Sequence, residues 1–155
     1  MSATASPVEI CVAAAATAEL VAAFERLLPQ LSSSAPAMSA FTLGTVIAEP
    51  SNTLFLARDP TAGGQIVGSL TLVMFRIPTA LRAWIEDVVV DESVRGRGVG
   101  EAMVHAAVTR ARERGAKTID LTSRSSRQAA HRLYEKSGFH VRDTSVYRHG
   151  PKPAS

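Results

Sequence analysis

The chain has 155 residues, enough for one domain with a buried core. Its composition is globular, at 46% hydrophobic and 20% charged residues, and its net charge of +3 comes from 17 basic and 14 acidic side chains. That balance favours an anionic ligand only weakly, and it lacks the concentrated basic charge of a nucleic-acid binder. A single cysteine, Cys11, excludes an intramolecular disulfide and any cysteine-cluster metal site, and its apolar setting reads as a small buried hydrophobe.

In chain order, Val8–Ala14 reads as a first strand, and Thr17–Leu31 as a helix with Leu20, Ala23, Phe24, Leu27 and Leu28 at helical spacing and Pro29 disturbing its end. A Ser- and Pro-rich loop follows, then "AFTLGTVIAEP", which has room for a short helix. Thr53–Asp59 and Gln65–Ile77 read as a hairpin around "PTAGG", and Leu81–Asp91 as the next strand. A helix is predicted from about Gly98 to Arg114, with Val99, Ala102, Met103, Ala106, Ala107 and Ala111 on its apolar face and Gly115 as its stop. "KTIDLTS" is a strand, "SSRQAAHRLYEKSG" a helix with a Ser125–Gln128 capping box and Gly138 as stop, "FHVRDTSVYR" a final strand, and "HGPKPAS" a frayed tail. No internal repeat is visible. Three consecutive strands favour antiparallel neighbours, and the late strand–helix–strand favours one parallel crossover. The expected fold class is therefore α/β (α+β), a mixed and mainly antiparallel sheet flanked by helices, in a single domain over 1–155 with its core at about 8–148.

No secretory signal is read: Glu19 interrupts "VAAAATAELVAAF" and no basic residue precedes it. No apolar run reaches the roughly 18 residues of a membrane span, so the expectation is no membrane and a cytoplasmic location. His105, His131, His140 and His149 lack metal-ligand spacing, so no metal is expected, and "RARERGAK" reads as a solvated helix end with no nucleic acid as partner.

The stretch "VRGRGVG", Val94–Gly100, lies between a strand end and a helix start. A helix N-terminus exposes unpaired N–H groups and a partial positive charge, and glycines let a phosphate approach them. Arg95 and Arg97 add charge-assisted donors, so the stretch is built like a diphosphate cradle. It lacks the Gly-Lys-Ser/Thr ending of a Walker loop, and the even spacing of Gly96, Gly98 and Gly100 does not fit the Rossmann fingerprint.

"DVVVDESVRGRGVGEAMV" resembles the acetyl-CoA-binding motif of the GNAT superfamily of N-acetyltransferases, whose Arg/Gln-x-x-Gly-x-Gly/Ala core is matched by Arg95, Gly98 and Gly100. "AAHRLYEKSGF" resembles that superfamily's second motif through Ala130, Leu133, Tyr134, Gly138 and Phe139. With the element order, the resemblance covers roughly residues 8–148. It implies a strand that splays from its parallel neighbour, with the pantetheine arm of acetyl-CoA in the gap. It carries backbone contacts onto Val88, Val89 and Val90, and pyrophosphate contacts onto Arg95, Gly96, Arg97, Gly98, Val99, Gly100 and Glu101. Arg127 stands where these enzymes often have Asn, and reads either as a contact to a CoA phosphate or as a solvated side chain.

Acetyl transfer to an amine needs a neutral amine, a donor for the developing oxyanion, and a proton or hydrogen bond for the departing thiolate. Tyr134 is the acid candidate. Its reference pKa lies about 1.5 units above that of a thiol, so a hydrogen bond or a concerted transfer suits it better than full prior protonation. Glu86 and Asp87 are the base candidates on the strand leading to the cradle; strand alternation lets at most one face the thioester unless a bulge intervenes. Glu86 is preferred as base, with burial beside Trp84 or a relaying water supplying the missing basicity, and Asp87 as a substrate contact. The resemblance thus implies acetyl-CoA as cosubstrate and a small-molecule primary amine as acceptor, with a homodimer left open. The alternatives are a non-catalytic acyl-CoA sensor and a protein acetyltransferase. "WIEDVVVD" is also similar to the matching strand of glucosamine-6-phosphate N-acetyltransferases, which adds an amino-sugar phosphate to the acceptor candidates.

Overall fold

A computed structural model describes residues 8–154; residues 1–7 and 155, which the sequence reading counts into the domain and the tail, lie outside the described residues. The elements run β1 (Glu9–Val12), α1 (Ala18–Leu31), α2 (Ala40–Ala48), β2 (Asn52–Asp59), β3 (Gln65–Ile77), β4 (Ala80–Val90), α3 (Val99–Glu113), β5 (Thr118–Leu121) and α4 (Gln128–Lys136). The strands form one sheet in the order β1-β2-β3-β4-β5. Each of the first four is antiparallel to its neighbour, and β5 joins β4 in parallel through the α3 crossover. The mixed sheet and the flanking helices are as the sequence predicts.

Alternation along the strands divides the core between two faces. Leu54 and Leu56 of β2, with Ile66 and Val89, pack under α1 and α2 through Leu20, Ala23, Phe24, Leu27 and Leu43. Phe55, Ala57, Val67, Leu70, Leu72, Ala83 and Ile85 face α3, which inserts Val99, Met103, Val104, Ala107 and Ala111. Thr17 caps α1 by accepting the Leu20 N–H at 3.2 Å. Pro29 lies inside α1, and the helix runs on to Leu31. A proline this close to the C-terminus removes one N–H without breaking the last turn, where Ser32 N–H still reaches Leu28 O at 2.9 Å. Cys11 is half-buried.

Two expectations fail locally. Ser125 does not cap α4: the N-cap position is Arg127 without a side-chain bond, and only the Gln128 amide approaches the Ser125 carbonyl, at 3.5 Å. An exposed turn over Arg124–Arg127 replaces the capping box, because its backbone N–H groups bond to nearby carbonyls instead. The predicted final strand "FHVRDTSVYR" forms no strand and pairs with nothing among the described residues. Gly138 ends α4 as expected, at φ +93°.

Candidate acyl-CoA and acceptor site

The site begins where β4 loses its neighbour. β4 and β5 pair from Arg82↔Thr118 to Ile85↔Leu121 and no further. On its other side β4 stays paired with β3 as far as Val90↔Gly68. The backbone of Glu86–Val90 thus presents an unpaired edge toward the segment after β5, the splay that the sequence resemblance implies. Backbone polar groups along such an edge need another partner.

That edge leads into the glycine stretch. A short 3-10 turn over Glu92–Val94 is capped by Asp91, whose side chain accepts the Ser93 N–H at 3.0 Å. Gly96 and Gly98 then take φ of +79° and +78°, a region where only glycine is comfortable. Nothing lies within 4 Å of a Cβ built at either position, so the requirement is conformational and the space above the loop is open. Among the described residues, the N–H groups of Gly96, Arg97, Gly98, Val99, Gly100 and Glu101 have no acceptor, and the first turn closes only with Ala102 N–H to Gly98 O. Gly100 is required for another reason. A Cβ there would meet Leu133 Cδ2 of α4 at 3.0 Å and Val90 Cγ2 at 3.6 Å, so the helix start, the strand end and α4 converge at this point. The residues present fit an acyl-CoA: an open row of orphan N–H groups at a helix N-terminus suits a pyrophosphate, and the unpaired β4 edge suits the amides of a pantetheine.

The arginines divide. Arg97 donates to Asp59 at 2.9 Å, tying the loop to the end of β2. Arg95 is exposed and its Nε lies 3.4 Å from the Val90 carbonyl. Arg127 donates to the Leu31 carbonyl at 3.2 Å, which links the start of α4 to the C-terminal end of α1. Glu101 is bridged by Lys136 of α4 at 3.0 Å.

Three tethers that sequence reasoning missed hold this arrangement. Arg26 of α1 donates to Asp91 at 3.0 Å and also to the Ile66 carbonyl. Burial pulls the Asp91 carboxyl up, but the Ser93 N–H and hydroxyl and the Arg26 guanidinium outweigh it and hold it below the ordinary carboxylate range. Gln30 accepts the Glu92 N–H at 2.8 Å. Asp59, buried at 2% exposure, is the third. The Thr61 hydroxyl first, and Arg97 second, hold its carboxyl below the ordinary value of 3.8. The signals were present as Asp-x-Ser and Asp-Pro-Thr, both patterns in which an Asp side chain accepts a backbone N–H two residues on. Because the folded-state pKa of Asp59 is depressed, its contribution is complete above the ordinary value of 3.8 and is lost as pH falls through the folded value. Asp59→Asn should therefore melt below the wild type at neutral pH, and the gap should close in strong acid. Melts recorded from neutral to strongly acidic pH check this, and a gap independent of pH would show that the carboxylate is not the tether.

The candidate acid–base groups lie where β4 is irregular. β3 and β4 pair as Ser69↔Val89 and then Thr71↔Glu86, so β4 carries an extra residue, and Asp87 sits at φ +49°. This is a β-bulge. It explains why Ile85 and Val88 both pack on the α3 side, with Glu86 and Asp87 between them. The alternation that would send one carboxylate to each face is thereby broken. Glu86 is exposed, so the burial that the sequence suggested beside Trp84 does not occur. Asp87 borders a small cavity of about 60 Å³ under α1 and α2, walled by Phe24, Leu28, Met38, Leu43 and Val89.

Tyr134 is half-buried against the α3-side core, with its ring edge-to-face on Phe139 at 6.0 Å. Burial raises its pKa above 10.0, and the Arg127 charge opposes that only in part. At neutral pH the hydroxyl is a proton-bearing donor. His131 serves the fold, with Nε2 at 2.8 Å from the Arg124 carbonyl. Among the described residues no cluster of His, Cys, Asp and Glu could hold a metal ion, and no helix is long and apolar enough to cross a membrane.

A family model described as "Acetyltransferase (GNAT) family" matches residues 18–139. A mycothiol acetyltransferase of Propionibacterium freudenreichii is 37% identical over 65 residues, which is 42% of this chain and only 21% of that protein. Among solved structures, a putative acetyltransferase from Agrobacterium tumefaciens superposes with a TM-score of 0.80 at 25% identity, covering 92% of this chain and 99% of the other. An aminoglycoside acetyltransferase from an uncultured soil metagenomic sample, solved with sisomicin, superposes with a TM-score of 0.78 over 95% and 97% of the two chains; at 16% identity it shares the fold.

Proposed function

The chain belongs to the GNAT acetyltransferase family, and from that premise we propose that it moves an acetyl group from acetyl-CoA to a primary amine of a small molecule. The observation that carries this reading is the unpaired β4 edge running directly into the orphan N–H groups of Gly96–Glu101. Acetyl-CoA supplies the activated thioester. Val88–Val90 bind its pantetheine amides through their backbone, and the glycine stretch with Arg95 binds its pyrophosphate. The neutral amine attacks the thioester carbonyl carbon, the C–S bond breaks, and the Tyr134 hydroxyl donates to the departing thiolate. The proton lost by the amine passes to Glu86, directly or through water. Asp87 holds the acceptor's ammonium before that loss, since it is the carboxylate that borders the apolar cavity under α1 and α2.

An acceptor needs both a cationic amine and an apolar portion to suit that cavity. This favours small apolar amines over heavily hydroxylated amino sugars. A panel of amines, each monitored for release of free CoA, tests the reading; no turnover with any amine while acetyl-CoA still binds would replace the enzyme by an acyl-CoA sensor.

The two carboxylates separate by pH. Asp87→Asn should raise KM for the acceptor, by about tenfold or more for a lost charged hydrogen bond. Glu86→Gln should depress kcat/KM most at neutral pH, where free amine is scarce, and less as the substrate deprotonates itself. A Glu86→Gln profile parallel to wild type from neutral to alkaline pH would remove Glu86 from the proton path.

A further inference from the structure

We infer that the acceptor is a short amine whose far end carries one uncharged oxygen, and that Ser69 selects it by hydrogen bonding that oxygen in the cavity beside Asp87. The inference rests on the proposed function, in which Asp87 holds the acceptor's ammonium.

Three polar side chains are buried among the described residues: Asp59, Ser69 and Asp91. Asp59 is held by Thr61 and Arg97, and Asp91 by Ser93 and Arg26. Ser69 is 2% exposed, yet its hydroxyl makes no hydrogen bond among the described residues. A buried hydroxyl without a partner is costly, so one that persists calls for something to satisfy it. The sheet fixes its direction. Along β3, a Cβ at Gly68 would touch Met103, and Leu70 and Leu72 pack on the α3 side. Alternation therefore turns Ser69 and Thr71 to the other face. Their partners across β2, Leu56 and Leu54, pack under α1 and α2, which agrees. Both hydroxyl residues line the cavity of about 60 Å³ that Asp87 borders.

Charge and room set the rest of the chemistry. In register, Asp87 lies in the bulge between Ser69↔Val89 and Thr71↔Glu86. Successive residues on one face of a strand stand roughly 7 Å apart, so an amine on Asp87 is a short chain away from either hydroxyl. No Lys, Arg or His lines the cavity, and its other walls are apolar. A carboxylate or phosphate on the acceptor would face Asp87 with no cation to meet it, which rules against amino acids and amino-sugar phosphates. A second ammonium would be buried beside a carboxylate that is already engaged. An alkyl end suits the walls but leaves the Ser69 hydroxyl unpaired. One hydroxyl or ether oxygen meets both demands. At about 10–15 Å³ for each water-sized group, the cavity takes roughly four to six non-hydrogen atoms, the size of a short-chain amino alcohol.

Four amines of matched length test this, each followed by release of free CoA: aminobutanol with its two groups at opposite ends, pentylamine, putrescine and γ-aminobutyrate. Aminobutanol should exceed pentylamine in kcat/KM by about tenfold and γ-aminobutyrate by about 100-fold or more. In Ser69→Ala the preference for aminobutanol over pentylamine should vanish, because the methyl end no longer meets an unpaired hydroxyl. Acetyl-CoA affinity, read by calorimetry, should not change. A substitution that only loosened the core would lower both amines together and keep their ratio. The wild-type ranking decides the matter even where the variant fails to fold. Turnover that is best with pentylamine, putrescine or γ-aminobutyrate, turnover confined to amines of other classes, or a Ser69→Ala ratio equal to wild type would each overturn the inference and leave the acetyltransferase reading standing. No turnover with any amine, while acetyl-CoA still binds, would overturn both.

Discussion

A Gly98→Val protein folds and loses acetyl-CoA affinity by about 10²–10⁴-fold. The glycine sits at φ +78° and a Cβ built there has nothing within 4 Å, so the branch point of the new side chain meets no protein atom. Its cost to the fold is that of one left-handed residue, roughly 1–2 kcal/mol and more for a β-branched side chain. A domain stable by about 5–15 kcal/mol survives that. The cost to binding is larger. The valine stands in the space that a pyrophosphate needs, and relief of the strain turns the N–H groups of Val99 and Gly100 away from the ligand. Hydrogen bonds to a charged group contribute about 1.5–3 kcal/mol each, and losing two gives the stated range. Calorimetry with acetyl-CoA reads the affinity, and circular dichroism confirms the fold. Wild-type affinity in a folded Gly98→Val protein would end the assignment of this loop to the pyrophosphate.

The parts of this site that were legible in the sequence are those set by one stretch of chain. Glycines at alternate positions before a helix announce an exposed N-terminus, because only glycine takes the positive φ that the turn needs. The apolar positions of α3 announce the face that packs on the sheet. Other features belong to two stretches at once. The bulge at Asp87 exists only in the register of β4 against β3, and no residue in "WIEDVVVD" marks the extra position. Without it, alternation places Glu86 and Asp87 on opposite faces; with it, both fall between Ile85 and Val88, which pack on the same side. The tethers of the cradle are likewise long-range: Arg26 to Asp91 spans 65 positions and Arg97 to Asp59 spans 38. The last strand shows a third case. Its residues have strand character, but a strand is completed by its neighbour, and no described residue of the same chain supplies one.

The tethers also bind the two halves of the site to one another. α1 ends at Leu31, whose carbonyl takes the Arg127 bond from the start of α4, and the same helix sends Arg26 to Asp91 and Gln30 to the Glu92 N–H. The helix that walls the cavity beside Asp87 is thus fastened to the turn that opens the cradle. α1 is joined to the start of α4 and to the Asp91–Val94 turn by three hydrogen bonds.

Tyr134→Phe lowers kcat by about 10²–10³-fold and leaves acetyl-CoA affinity within error of wild type. The substitution removes one oxygen. The ring keeps its edge-to-face contact with Phe139 at 6.0 Å and its place against the α3-side core. Among the described residues the hydroxyl makes no hydrogen bond, so its loss orphans no internal partner. Burial moves the phenol above its ordinary value of 10.0. That widens its separation from a thiol at about 8.5 beyond the roughly 1.5 units of the unperturbed pair. Full proton transfer ahead of C–S cleavage is therefore uphill, and the hydroxyl acts as a donor that strengthens its bond as negative charge collects on sulfur. An interaction made mainly in the transition state appears in kcat and not in binding. The pH profile gives an independent sign: a group with a raised pKa stays protonated through neutrality, so wild-type turnover should hold into alkaline solution and fall only as the phenol ionises, above its ordinary value of 10.0. The Tyr134→Phe profile should lack that alkaline fall. Unchanged turnover in the variant, or an alkaline limb that survives the substitution, would reduce Tyr134 to a packing residue of α4.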